Sequence, residues 1–69
     1  MENFDLSGRP YVELCDLLKL TGCCSSGGHA KQVIAAGEVK VDGQVELRKR
    51  CKIRSGQIVE YGTERLKVV

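Results

Sequence analysis

The sequence predicts an α+β domain in which a helix-turn-helix-like pair of helices packs on a small, mostly antiparallel sheet. Apolar residues recur with a period near 3.6 in the first half of the chain and with a period near two in the second half. Turn residues interrupt the second half at short intervals, which favours several short strands. The expected order of elements is β-α-α-β-β-β-β. Because the chain has only 69 residues, we expect residues 1–69 to form a single domain.

A short strand and a first helix are expected at the start of the chain. Residues 3–6 alternate between polar and apolar side chains, as a strand does. Pro10 suits the first position of a helix, because the amide proton that it lacks would have no partner there. From Tyr11 to about Leu20 apolar residues follow three- and four-residue steps. This spacing predicts an amphipathic helix with Tyr11 on its core face.

A second helix is expected after a short connection. Either Ser25 or Ser26 offers a side-chain oxygen that can cap its first turn. Apolar and small residues then recur at i, i+3, i+4 and i+7, namely Ala30, Val33, Ile34 and Gly37. Gly37 stands where a left-handed residue commonly ends a helix.

The rest of the chain predicts strands joined by tight turns. Asp42-Gly43 is a hairpin signal between two alternating segments. We expect a three-residue loop over residues 41–43, because that register places three apolar side chains on one face: Val39, Val45 and Leu47. Later strands are expected over residues 58–61 and 66–69.

Positive charge is concentrated in one short segment. Five cations, which we call the basic ridge, fall within seven residues: Arg48, Lys49, Arg50, Lys52 and Arg54. Because the whole chain has a net charge of +2, the remaining residues together carry −3. A mildly acidic body with one basic patch favours a polyanionic partner.

The basic ridge is expected to lie on an extended strand. Alternation from Leu47 would turn Cys51 and Ile53 inward and four of the five cations outward, with Lys49 at a bulge or loop. Outward neighbours would be about 6.6 Å apart, a row that can follow a phosphate backbone. Charged edge strands also protect small sheets from aggregation, and this interpretation of the segment remains open.

The cysteines and the single histidine form no pattern typical of a metal site or an active site. No two of Cys15, Cys23, Cys24 and Cys51 have the short spacing on which structural zinc sites are built. We expect Cys15 and Cys51 to be buried and the other two to lie in a loop. The chain has no Gly-rich phosphate loop and no nucleophile motif beside His29. We therefore expect no metal, no cofactor and no enzymatic activity.

The start of the chain is acidic, and no apolar run approaches the length of a membrane span. A cytoplasmic protein without membrane contact is expected. A monomer is the default expectation for a module of this size.

The segment from Ser26 to Gly43 resembles the core of the RNA-binding domain named after bacterial ribosomal small-subunit protein four. That family reads approximately Ser, three residues, Ala, a hydrophobic pair, Gly, Val-x-Val and Asn/Asp-Gly. The matching positions are Ser26, Ala30, Val33-Ile34, Gly37, Val39, Val41 and Asp42-Gly43. The resemblance covers roughly residues 11–61. It implies the family's fold and a non-catalytic protein that holds structured RNA, with ribosomal or transfer RNA as the expected partner.

Two departures from the family pattern affect the expected RNA site. Gly27 stands where many members have an Arg, which removes a phosphate contact at the start of the second helix, and Gln57 stands where many have Asp. Lys31 is expected to be exposed near this helix start. The backbone near Gly28 lies at the positive end of the helix, where an anion is favoured. His29 can donate to a phosphate.

Lys40, which points away from Val39, is a weaker candidate. The whole aromatic set is Phe4, Tyr11 and Tyr61, so stacking on unpaired bases is not expected. We expect recognition of RNA shape and phosphates instead.

Two other binding functions remain open at this stage. A small adaptor could use the basic ridge to bind an acidic protein, for example on the ribosome. Nuclease treatment of co-purified material would separate this function from RNA binding. The two helices also resemble a DNA-binding helix-turn-helix superficially, although a strand follows the second helix at once. Competition between duplex DNA and folded RNA would decide that question.

Overall fold

Two helices and seven short strands make up the fold of residues 1–69, all of which the computed structural model describes. The elements are β1 (Glu2–Phe4), β2 (Val12–Glu13), α1 (Leu14–Leu20), α2 (Gly27–Ala35), β3 (Val39–Val41), β4 (Gln44–Val45), β5 (Lys52–Ile53), β6 (Ile58–Tyr61) and β7 (Glu64–Val68). Neither helix has the length and apolar character that crossing a membrane requires.

The strands form a five-stranded sheet and a separate two-stranded ribbon. The order in the larger sheet is β1-β7-β6-β3-β4, and the ribbon pairs β2 with β5. Only the β1–β7 pair is parallel, and all other neighbours are antiparallel. The predicted α+β class, with two helices and a mostly antiparallel sheet, is confirmed.

One hydrophobic cluster of 15 residues joins the helices, the sheet and the ribbon. Its fully buried side chains include Leu14, Leu17, Leu18, Ile34, Val39, Ile53, Val59, Leu66 and Val68. No polar or charged residue is buried. Because Ile53 belongs to this cluster, the core reaches directly beneath the basic ridge.

Helix α1 begins three residues later than the periodicity predicts. Val12 and Glu13 are extended and pair with Ile53 and Lys52, so the prediction of helix from Tyr11 is wrong. The first-turn amides of an α-helix have no partner within the helix. Here the extended residues before α1 run beside the basic segment, residues 48–54. Backbone carbonyls of that segment accept hydrogen bonds from the first amides of the helix. Tertiary contacts therefore set the helix start.

Helix α2 follows its sequence signals closely. Ser26 is the N-cap, and its side-chain oxygen accepts the His29 amide at 3.1 Å. Gly37 has a φ of 78° directly after the helix. The Gly37 and Glu38 amides donate to carbonyls of the last turn at 3.0 and 3.1 Å, as in a Schellman ending. Of the two serines proposed as caps, Ser26 is the one that acts.

The β3–β4 hairpin has a two-residue loop. Val41 pairs with Gln44, so only Asp42 and Gly43 lie in the turn. Both residues have positive φ, 52° and 84°, which is the geometry of a type I′ turn. The prediction of a three-residue loop is wrong.

Hydrogen bonds that the Asp42 carboxylate accepts explain why the tighter turn is stable. Its carboxylate accepts the Ile58 amide at 3.0 Å and the Gln57 side-chain amide at 3.2 Å, which ties the turn to the start of β6. Val45 and Leu47 are consequently 53% and 59% exposed instead of packing inward. The hydrogen bonds of this register therefore stabilise the fold more than burial of Val45 and Leu47 would.

Candidate nucleic-acid interface

The basic segment is a turn followed by a short strand, and the prediction of one extended strand is wrong. The Cys51 amide donates to the Arg48 carbonyl at 3.2 Å and closes a turn over Lys49 and Arg50. Strand structure is confined to residues 52–53, where Ile53 is fully buried. Lys49 therefore lies in a loop, as the sequence suggests.

Helix α1 gives the physical reason for this turn. The Leu14 amide donates to the Cys51 carbonyl at 2.9 Å, and the Cys15 amide donates to the Lys49 carbonyl at 3.0 Å. Glu13, the N-cap residue, makes no side-chain capping bond. The basic segment thus caps the helix with its own backbone, and this requires the chain to turn at Lys49 and Arg50.

The turn brings several ridge cations together. Arg48, Arg50 and Lys52 line one open depression with Cys51. Arg54 lies farther along the segment, and all five ridge cations are exposed. Fixed backbone bonds and the buried Ile53 therefore hold a cluster of exposed cationic side chains at the surface.

Arg48 is bound to a carboxylate of its own chain. Its guanidinium donates two hydrogen bonds to Glu46, at 2.9 and 3.1 Å, and its backbone amide donates a third at 3.0 Å. Hydrogen bonds from Arg48 lower the pKa of Glu46 to about 2. The only other ion pair joins Arg65 and Glu60. Four ridge cations are therefore outside any ion pair: Lys49, Arg50, Lys52 and Arg54.

Tyr11 lies on the basic surface and not on the core face of a helix. The Lys52 ammonium is 5.0 Å from the centre of its ring, and the Arg54 guanidinium carbon is 5.7 Å away. Val12 opposes Ile53 in the ribbon and both are buried, which leaves Tyr11, Lys52 and Arg54 on the other face. Exposed cation–π contacts of this kind contribute roughly 0.5–1 kcal/mol. Sequence reasoning missed Tyr11, because only the β2–β5 pairing brings it to the ridge.

The candidate residues on α2 form a second group. Gly28 is exposed in the first turn, and Lys31 is exposed and free of ion pairs. The Nδ1 atom of His29 accepts the Ser25 amide at 3.3 Å, which leaves Nε2 as the ring nitrogen that can donate. None of these three residues lines a depression with the ridge.

Lys40 is exposed on β3 and does not line the ridge depression. Its register partner on β6 is Glu60, the carboxylate that pairs with Arg65 at 3.4 Å. This acidic neighbour makes Lys40 the least favourable of the candidates for a phosphate contact.

Burial works against the activation of two of the thiols. Burial raises the pKa of Cys24 and of Cys51, which favours the thiol over the nucleophilic thiolate. Cys15 is buried as expected, whereas Cys51 is half-buried and Cys24 reaches the core from its loop. The ligand atoms of Glu13, Cys15 and Asp16 lie within 4.8 Å of one another, but acidic groups commonly cluster without an ion.

Comparison with known families assigns the chain. The model of the S4 domain family matches residues 4–69. This chain belongs to the S4 domain family. The family expected from the residues between Ser26 and Gly43 is confirmed, and the match extends beyond residues 11–61 at both ends.

Relatives of this S4 domain protein cover its full length. YbcJ of Escherichia coli strain K12, named as a candidate RNA-binding protein, is 56% identical over 69 residues, with 100% of this chain and 99% of the relative covered. An uncharacterized YbcJ protein of Shigella flexneri matches with the same identity and coverage. The solution structure of Escherichia coli YbcJ, described as revealing an ALFAL motif involved in RNA binding, has a TM-score of 0.77. The match covers 100% of this chain and 87% of the chain in that structure.

Proposed function

We propose that this S4 domain protein is a non-catalytic RNA-binding protein that holds structured RNA, either ribosomal or transfer RNA, through phosphate contacts from the basic ridge. The observation that carries the proposal is the set of four exposed cations without ion-pair partners on a segment fixed to the core. Arginine and lysine side chains presented in this way suit phosphate oxygens. The description of YbcJ as an RNA-binding protein supports the same function.

Backbone anchoring favours a pre-organised interface. Two helix amides hold the carbonyls of Lys49 and Cys51, and Ile53 fixes the following strand. Only side chains then need to be ordered when RNA binds, which reduces the entropic cost of association. The α2 group of Gly28, His29 and Lys31 adds further donors, and Lys40 contributes least.

We further propose that residues 1–69 form one cytoplasmic, monomeric domain without a cofactor. The single core cluster supports one cooperative unit. A concentration series in analytical ultracentrifugation would test the monomer, since dimer formation at micromolar concentration would contradict it.

Salt titration of RNA binding tests the ridge directly. If Lys49, Arg50, Lys52 and Arg54 each meet one phosphate, log affinity should fall with log salt at a slope of about −3 to −4. The quadruple alanine variant should bind more weakly and with a much flatter slope, because the counterions displaced by these four side chains are no longer released. The measurement is fluorescence anisotropy with a labelled transfer RNA and a labelled ribosomal RNA hairpin.

A charge-matched pair of variants provides the control. Lys49→Ala with Arg50→Ala removes two ridge charges, whereas Lys19→Ala with Lys67→Ala removes two exposed charges elsewhere. Only the first pair should reduce the slope. Equal slopes for both pairs would show that net charge, and not the ridge, determines binding.

Nuclease treatment separates this function from an acidic protein partner. Material that co-purifies with the protein should be released by ribonuclease if RNA is the ligand. Retention of a protein after complete RNA digestion would favour the adaptor function instead.

A further inference from the structure

We infer that Tyr11 stacks on one unpaired RNA base, while Lys52 and Arg54 bind the phosphates on either side of that nucleotide. The inference rests on the proposed RNA-binding function and specifies its ligand: structured RNA that carries a bulged or looped-out nucleotide. Tyr11 is thus a binding residue in addition to the ridge cations.

The two-stranded ribbon of β2 and β5 holds the Tyr11 ring in a fixed position. Val12 and Ile53 anchor the inner face of β2 and β5 in the core, with 5% and 0% of their surface exposed. Tyr11 is half-buried on the opposite face, and its centre lies 5.0 Å from the Lys52 ammonium and 5.7 Å from the Arg54 guanidinium carbon. An aromatic ring flanked by two cations matches the two parts of a nucleotide, a π-face and negative phosphates.

A base can displace the two cations from the ring. Both side chains are exposed, and neither is held by an ion pair. Stacking of a base on an aromatic side chain generally contributes more than an exposed cation–π contact does. A base that reaches Tyr11 therefore displaces a cation from the ring, and the displaced cation is already beside the phosphates of the same nucleotide.

The base must be unpaired. Within an A-form helix both faces of a base are covered by neighbouring bases, and side chains reach mainly backbone and hydroxyl groups. A nucleotide in a bulge or loop leaves one face free to stack. The ridge can hold the adjoining helix through its backbone while Tyr11 takes the extruded base.

Two RNA hairpins that differ by one nucleotide test the inference. One has a continuous 12-base-pair stem, and the other carries a single adenosine bulge in the same stem. The wild-type protein should bind the bulged hairpin about tenfold more tightly, and Tyr11→Ala and Tyr11→Leu should lose this preference. Tyr11→Phe should retain it, since the ring and not the hydroxyl group stacks. Tyr11→Ala and Tyr11→Leu should weaken binding to the bulged hairpin more than binding to the continuous stem.

Fluorescence gives a second readout that does not depend on affinity. The chain contains no tryptophan, so Tyr11→Trp places one reporter at this site. Stacking should quench its emission when the bulged hairpin binds and should leave it unquenched with the continuous stem. Tyr61→Trp is the matched control and should respond to neither RNA. Thermal unfolding of each variant verifies that it is folded.

The outcomes separate this inference from the proposed function. If Tyr11→Ala keeps the preference for the bulged hairpin, or loses affinity equally for both hairpins, base stacking is excluded while RNA binding by the ridge stands. If the wild-type protein binds neither hairpin nor the transfer RNA, the proposed function itself fails, and the inference fails with it.

Discussion

At the scale of single residues, not every cation of the basic ridge is free to contact a phosphate. Arg48 belongs to the basic ridge by sequence, yet the Glu46 carboxylate accepts hydrogen bonds from its guanidinium and its backbone amide. A charge-assisted bidentate pair such as this is stronger than ordinary hydrogen bonds between neutral groups. Arg48 therefore fixes the start of the basic turn, and the remaining four cations are the ones that we expect to meet phosphate.

The depressed pKa of Glu46 predicts a specific acid sensitivity. Its folded value of about 2 lies below the ordinary glutamate value near 4.3, so the pair stabilises the fold fully above that ordinary value. The stabilisation is lost as the pH falls from about 4.3 toward 2. Glu46→Gln should remove this part of the pH dependence, measured by urea unfolding between pH 2 and pH 6.

Glu64 offers a matched control for this experiment, because it is exposed and has no ion-pair partner. Glu64→Gln should follow the wild-type curve throughout this pH range. A Glu46→Gln protein that also follows the wild-type curve would show that the Arg48 pair does not form in solution.

At the scale of elements, local sequence determines α2 but not α1. Helix α2 carries its own N-cap in Ser26 and its own ending in Gly37. Helix α1 has no side-chain cap and depends on carbonyls of the basic segment, more than 30 residues further along the chain. The basic segment and the start of α1 are consequently one structural unit.

Ser26 and Ser25 form a matched pair for testing the capping of α2. Ser26→Ala should lower the free energy of unfolding by about 1 kcal/mol, because the His29 amide loses its acceptor. Ser25→Ala should change it by less than about 0.5 kcal/mol, since only the Ser25 backbone makes a hydrogen bond. Urea unfolding at neutral pH measures both. A larger loss for Ser25→Ala would contradict the assignment of the cap.

At the scale of the whole molecule, the core and the proposed binding surface meet in one short segment of the chain. Ile53 lies between two cations of the ridge and is nevertheless fully buried. Leu47, from the same part of the chain, is 59% exposed. Alternation predicts both side chains to point inward, but only Ile53 has a strand partner, Val12, that carries it into the core.

The smaller of two truncations, Ile53→Val, should destabilise the protein more than the larger one, Leu47→Ala. Ile53→Val removes one methylene group and should destabilise the protein by about 1 kcal/mol, because the site is fully packed. Leu47→Ala removes more atoms but should change stability by less than about 0.5 kcal/mol, because the side chain is 59% exposed. Thermal or urea unfolding decides between them, and a more damaging Leu47→Ala would favour the register with Leu47 inside.

Much of the fold and part of the candidate site could be predicted from local signals. The helical stripe, the cap pair and the Asp42-Gly43 turn act over a few residues, so they identify α2, the hairpin and the family. The concentration of cations between Arg48 and Arg54 is likewise visible without a structure. Exposure of the individual cations follows from their chemistry, because burial of an unpaired charge is costly.

The sequence by itself determined the α+β class, the two consecutive helices followed by strands, the S4 domain family and the segment that carries the positive charge. Only the tertiary structure decided where α1 begins, which hairpin register forms, that Glu46 binds Arg48 and that Tyr11 joins Lys52 and Arg54. Apart from the local Glu46 contact, these features depend on pairings between distant parts of the chain. Such pairings arise from competition for backbone hydrogen bonds and core volume, and no short window of sequence contains both partners.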